Sequence, residues 1–331
     1  MIPLHPNKLN GSVAESLWAQ VERGLYGVWE VGDSLAEHWG CETSGMTVLI
    51  AGCGDLGTEA GLRFAGLGHD VIGLRRSPEK LPAEIRGMQA DLARGVPVIP
   101  ADVNIVVVAV AADSSTEEAY RAAYINGLRN VLDALDRDSV EPERILFVSS
   151  TAVYKDSDGA VVDETTPTEP TRFSGKVLVE AENMLFARTQ GTNIQPISLR
   201  LGGIYGPGRT RLIDQVLSGQ AVIPARPRHT NRVHRDDAAA IIAHLTTMDQ
   251  DPDPVYVGVD DHAAEMGDVM RFLALEMEIP EPPTASEDAH AGPGDKRCSN
   301  KRLRGTGFEF AFPTYMEGYR AVLAGRGVRH P

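Results

Sequence analysis

The stretch "TVLIAGCGDLGTEAG", residues 47–61, decides the fold. Its first part, "TVLIAG" (47–52), is a short apolar run ending in glycine, the pattern of a strand buried on both faces of a parallel sheet. Gly52, Gly54 and Gly57 then follow in G-x-G-x-x-G spacing. In that pattern the first glycine allows a tight turn and the second lets a phosphate approach the backbone. The third lets a helix pack closely on the strand. A helix starting near Gly57 offers free N–H groups and the positive end of its dipole to the phosphates. Asp55 and Leu56 lie between the glycines and complete the loop. A strand before and a helix after are the context a dinucleotide-binding loop requires.

Outward from this loop, strand and helix patterns alternate. "HDVIGL" (69–74), "NIVVVAVAA" (104–112), "RILFVSS" (144–150) and "IQPISLRL" (194–201) read as strands. Ser115 and Glu118 have capping-box spacing, which predicts the start of a long helix through "TEEAYRAAYINGLRNVLDAL". Another helix opens at "SGK" (174–176) and runs towards Arg188. Alternation of this kind means an α/β fold with a doubly wound parallel sheet, the Rossmann arrangement. The nucleotide-binding domain is expected over 46–201. A segment near 230–260 returns to it, with "VYVGV" (255–259) as a late strand. Residues 202–331 are loop-rich, with helical pieces near 236–248 and 263–276, and read as a smaller substrate-binding module. Residues 1–45 hold all three tryptophans, Trp18, Trp29 and Trp39, and a capping-box pattern at Ser12 and Glu15. They read as a helical extension serving as a lid, a dimer contact or a packed appendage.

Bulk composition narrows the classes. Hydrophobic residues make up 42% and charged residues 24% of 331, as in an ordinary globular protein. The net charge of −14 argues against nucleic-acid binding and against docking on anionic membranes. Three widely separated cysteines, Cys41, Cys53 and Cys298, predict neither a disulfide framework nor a zinc site. No apolar run reaches membrane-spanning length and no signal-peptide pattern opens the chain, so a cytoplasmic location is expected. Cys53, inside the loop, reads as a small apolar filler rather than a reactive thiol.

An NAD-binding loop of this kind carries an acidic residue about 20 positions on, to hold the ribose 2′-OH. Here the strand "VIGLRRS" places Arg75 and Arg76 instead. Guanidinium grips phosphate in bidentate fashion, so the pair favours NADP over NAD.

Taken together, these segments resemble the extended members of the short-chain dehydrogenase/reductase superfamily, the NAD-dependent epimerase/dehydratase-like proteins. "YINGLRNVLDAL", "FVSSTAVY", "LRLGGIYGPGR" and "RVHRDDAAAII" match successive motifs of that family over residues 46–325. "SGKVL" and "GFEFAFP" resemble an atypical, YeeZ-like branch. The resemblance implies that Asp91 and Leu92 contact adenine. It implies that Ser150 binds a substrate oxygen, that Lys176 holds the nicotinamide ribose, and that Glu180 matches a common family acid. It also implies a tyrosine four residues before Lys176, where this chain has Arg172. Arginine stays protonated and cannot act as the base, although it can steady an oxyanion. Tyr154, Tyr205 and His234 stand at motif ends and are the alternative proton carriers, while Asp236 or Asp237 is expected to cap the helix after His234. Gly203 stands where members that bind nucleotide sugars often carry asparagine. Arg209, Arg211, Arg297 and Lys301 are candidates for an anionic substrate.

The expected partner is a small polar, sugar-derived or similar molecule, and related folds often form homodimers. Two functions compete. One is an NADP-dependent oxidoreductase or epimerase with atypical proton transfer. The other is a non-catalytic NADP(H)-binding redox sensor or regulator.

Overall fold

The computed structural model describes residues 45–155, 158–286 and 295–331. The expectations for the extension before Gly45 lie outside these residues. Seven parallel strands form the central sheet: β1 (Thr47–Ala51), β2 (Asp70–Arg75), β3 (Arg86–Gln89), β4 (Val103–Val108), β5 (Arg144–Ser150), β7 (Gln195–Leu201) and β10 (Val255–Gly258). Their spatial order is β10-β7-β5-β4-β1-β2-β3. Sequence order reverses between β1 and β4, so a cleft opens at their carboxyl ends, where open α/β sheets bind ligands.

Alternate residues of the strands feed two cores. Leu49 and Ala51 of β1 face one side, with α3 (Gly127–Asp138) and α4 (Phe173–Thr189). Val48 and Ile50 face the other, with α1 (Asp55–Gly66) and α6 (Arg235–Thr247). Burial on both faces explains the near-continuous apolar runs. β10 pairs in parallel with β7, so the late strand does rejoin the sheet. A third cluster joins Tyr205, Ile213 of α5 (Arg211–Leu217), Val269 and Leu273 of α7 (Met266–Glu276), and Tyr315 and Tyr319 of α9 (Tyr315–Leu323). This is the core of the C-terminal part. The short helix α8 (Lys301–Gly305) instead sends Leu303 into the core shared with α1. Short pairs β6–β11 (Val161–Val162, Arg297–Cys298) and β8–β9 (Gly203–Tyr205, Arg232–His234) lie outside the main sheet.

Two local expectations are corrected, and one strand was not foreseen. β3 has no apolar run because it is an edge strand whose side chains are mostly exposed. The long helix after β4 is capped by Thr116, whose hydroxyl accepts from Ala119 N, rather than by Ser115 with Glu118. That helix is also not uniform: α2 (Glu117–Tyr120) and α3 are joined by a π-helical stretch, Arg121–Asn126. Such bulges are frequent at functional sites.

Candidate functional site

The glycine loop forms the floor of the cleft. Gly52 has φ +90°, and a Cβ there would sit 2.8 Å from Val110 N, so only glycine fits the turn. At Gly54 a Cβ would meet nothing within 4 Å and would project into the open cleft. Gly54 is also the N-cap of α1 and supplies no side-chain cap, so the first N–H groups of α1 remain available to an anion. Cys53 is fully buried, and burial pushes its thiol up to about 11, which leaves it an inert filler.

Two pockets share Gly54 and Ala109–Ala111 and so form one continuous cleft. The larger, about 450 Å³, brings together Arg75, Arg76, Ser77, Lys80, Asp91 and Leu92. Nη1 of Arg75 is buried there without a hydrogen-bond partner. A buried, unpaired guanidinium N–H is costly unless a ligand completes it. The glycine floor, the uncapped helix and this donor fit a dinucleotide.

The second pocket, about 350 Å³, is lined by Ser150 and by residues that sequence reasoning did not single out: Tyr120, Tyr124, Ser174 and Leu178. The tyrosines come from the end of α2 and the π-helical stretch, with rings 5.3 Å apart. Burial raises the Tyr124 phenol above its usual range. Their i, i+4 spacing on one helix face was the available signal. Ser150 Oγ accepts from Ala152 N and remains at the wall of the pocket.

Helix α4 does not present Lys176 to the cleft. The i, i+4 pair it turns inward is Ser174 and Leu178. A residue two positions from Ser174 lies about 200° around the helix, and Lys176 is exposed. Arg172 is the exposed N-cap residue of α4 and likewise lines neither pocket. The inward positions of α4 are thus filled by residues unable to do tyrosine–lysine chemistry. Glu180 is exposed and paired with Arg121. The buried acid of this helix is Glu182, which accepts from Ser149 Oγ (2.6 Å), Ser198 Oγ (2.8 Å) and Arg200 Nη2 (2.7 Å).

The alternative proton carriers do not reach the cleft either. Tyr154 is 2% exposed, accepts from Arg200 Nη1 at 2.8 Å, and is pushed up to about 12 by burial. Tyr205 is buried against Tyr319, its rings 4.4 Å from that neighbour, and burial raises its phenol. His234 is the N-cap of α6 itself: its Nδ1 accepts from Asp236 N, and neither aspartate caps the helix. Asp237 instead accepts from the Ala311 and Phe312 amides. Burial pushes His234 down to about 4.

The charged candidates divide in the same way. Asp55 lines the cleft, but its carboxylate is held by Arg235 (2.9 Å) and Arg209 (2.8 Å), leaving its backbone amide for a ligand. Arg209 is the one member of its group of four that reaches this cleft. Arg211 lines a separate shallow pocket, Arg297 of β11 donates to Gly159 O, and Lys301 is exposed at the start of α8. Asp91 turns one carboxylate oxygen to Ala93 N, and with Leu92 lines the larger pocket.

The sequence model of the NAD-dependent epimerase/dehydratase family matches residues 48–258. Protein YeeZ of Escherichia coli K12 is 28% identical over 277 residues, covering 80% of this chain and 96% of YeeZ. A putative NAD-dependent epimerase/dehydratase from Methylobacillus flagellatus is 36% identical, with a TM-score of 0.69, over 85% of this chain and 98% of the other. The human epimerase family protein SDR39U1, solved with NADPH, shares the fold at 17% identity and a TM-score of 0.68, over 84% of this chain and 99% of its own. With the family's model spanning the glycine loop, the switch-point cleft and the returning strand, this chain belongs to the NAD-dependent epimerase/dehydratase family.

Proposed function

We propose that the cleft binds NADP(H) and that the protein works as an oxidoreductase or epimerase on a small polar substrate. The observation that carries this reading is the buried, unpartnered Nη1 of Arg75 in the adenosine pocket, with Lys80 on the same wall. NADPH in the related human structure supports a nicotinamide nucleotide in the cleft. The glycine-loop amides and the start of α1 would hold the pyrophosphate. When bound, the nicotinamide supplies hydride exchange with a substrate carbon. Ser150 would then orient the substrate oxygen by hydrogen bonding, and Ser174 would add a second hydroxyl. Tyr120 and Tyr124 are the ionisable hydroxyls lining that pocket, and so the side chains able to pass a proton there. Leu178 adds an apolar side chain to the same pocket. Confined volume favours a small substrate, and Arg209, paired through Nε with Asp55, is the cationic side chain lining that pocket.

A second reading, NADP(H) binding without turnover, is favoured by one observation. Ser174 and Leu178, rather than a tyrosine and a lysine, occupy the inward positions of α4. Incubating protein with NADPH or NADP+ and a panel of small aldehydes, ketones and sugars, and following absorbance at the nicotinamide band, separates the two. Turnover abolished by Ser150→Ala supports the enzyme. No turnover, with NADPH and NADP+ affinities at least about tenfold apart, supports the sensor.

A further inference from the structure

Residues 327–331 lie against the start of α1 without lining either pocket of the cleft. Val328 O accepts from Arg235 Nη2 at 2.8 Å. His330 N donates to Asp55 Oδ1 at 3.2 Å, and its Nε2 lies 2.9 Å from Glu59 Oε2. Asp55 and Glu59 are an i, i+4 pair on one face of α1, so both ties of His330 land on its opening turns. Arg329 Nη1 donates to Gly208 O at 2.9 Å, and its stem fills the space that a Cβ at Gly208 would need. Gly327 lies against Pro207, where a Cβ would stand 2.6 Å from Pro207 Cγ. Arg235, 1% exposed, is the hub: the same guanidinium donates to Asp55 Oδ1, Asp236 Oδ1 and Val328 O. Helix α1, the start of α6 and residue 328 therefore meet on one side chain.

The loop these ties reach, residues 206–209, has little to fix it from within. Gly206 and Gly208 have φ of +142° and +66°, and Arg209 N donates back to Gly206 O across the turn. Yet Arg209 reaches the cleft with its Nε fixed on Asp55 Oδ2 at 2.8 Å. Holding a glycine-rich turn and a long side chain in one place costs conformational entropy that contacts from outside must offset. Building on the NADP(H) reading above, we infer that residues 327–331 are a strap tying the 206–209 loop to the opening turns of α1, which presets Asp55 and Arg209 along the pyrophosphate and nicotinamide part of the cleft. Arg235, Arg329 and His330 are then positioning residues, acting on the nucleotide through Asp55 and Arg209. The adenosine end, built from residues 74–77 and 90–93, receives no hydrogen bond from the strap among the described residues and is independent of it. Preorganisation of this kind raises affinity by lowering the cost of ordering the site on binding.

The test compares the full chain with Arg329→Ala, His330→Pro and the double variant. Arg329 is exposed and His330 only partly buried. Proline at 330 removes both the amide hydrogen held by Asp55 and the ring held by Glu59. In the ligand-free double variant, amide hydrogen exchange is expected to quicken in peptides covering 54–60 and 205–212. A change confined to 327–331 would overturn the strap whatever the cofactor. Calorimetric titration then sets NADPH against adenosine 2′,5′-bisphosphate, which lacks the second phosphate of the pyrophosphate and the nicotinamide riboside. The double variant is expected to bind NADPH about three- to tenfold more weakly and the bisphosphate within about twofold of the unmodified protein, with each single variant in between. Unchanged NADPH affinity would overturn the inference, and so would equal losses for both probes, which mean a general loosening rather than a lost preset. Failure of the unmodified protein to bind either probe would overturn the cofactor reading and the strap's role at the nucleotide, while quickened exchange at 54–60 and 205–212 would still establish the tie itself.

Discussion

Arg200 and Glu182 show what a single residue can be asked to hold. Both are buried, 2.7 Å apart, and the pair also receives Ser149 and Ser198 and passes a hydrogen bond to Tyr154. Removing one partner leaves the other charge buried and uncompensated, which costs about 3–5 kcal/mol. Arg200→Met is therefore expected to lower unfolding free energy by that amount in a denaturant titration. A loss below about 1 kcal/mol would mean that water reaches the pair. Lys176 is the opposite case: with its side chain on the solvent face of α4, Lys176→Ala is expected to leave NADPH affinity within about twofold of the unmodified protein. A tenfold loss in a fluorescence titration would place the lysine at the cofactor after all. The difference between Lys176 and Leu178 was not legible in the sequence, because "SGKVLVEAE" offers two registers separated by two residues. Only the side on which α4 packs against β5 chooses between them.

At the scale of elements, capping decides where α6 begins, and it carries a pH dependence. His234 accepts from Asp236 N through Nδ1, a bond available only to the unprotonated nitrogen. Burial lowers its pKa to about 4, below the 6.5 of an exposed histidine. The unfolded chain therefore takes up a proton below about pH 6.5, and the folded protein does so only near pH 4. Stability associated with this group is present above pH 6.5 and is lost as pH falls towards 4, on the order of 3 kcal/mol in total. His234→Asn keeps a capping side chain and does not titrate, so its stability should fall less steeply over that window. Parallel curves for the two proteins in chemical denaturation at pH 7, 5.5 and 4.5 would contradict the assignment. The elements themselves were readable where periodicity was strong. β1, β2, β4, β5 and β7 are apolar because both faces are covered. β3 was missed because an exposed edge needs no apolar pattern, and the π-helical turn beside Tyr124 has no sequence signature separate from the helix around it.

Across the whole molecule, the sheet order puts the glycine loop, the two arginines and the tyrosine pair along one cleft, although they come from distant parts of the chain. The glycine turn of that cleft was legible in advance because backbone geometry dictates it: Gly52 answers to a positive φ, and Gly54 leaves open space at the start of α1. The reacting half was not. Tyr154 and His234 stand at the ends of family-like motifs, yet the packing of Arg200 and of Phe312 draws them into the cores. The central claim is that the cleft takes NADP(H) through Arg75. Fluorescence titration of NADPH and NADH into the protein and into Arg75→Ala tests it most directly. The account predicts that NADPH binds at least about tenfold more tightly than NADH, and that Arg75→Ala removes this preference while still binding NADH. Equal affinities in the unmodified protein, or an NADPH preference that survives Arg75→Ala, would contradict it.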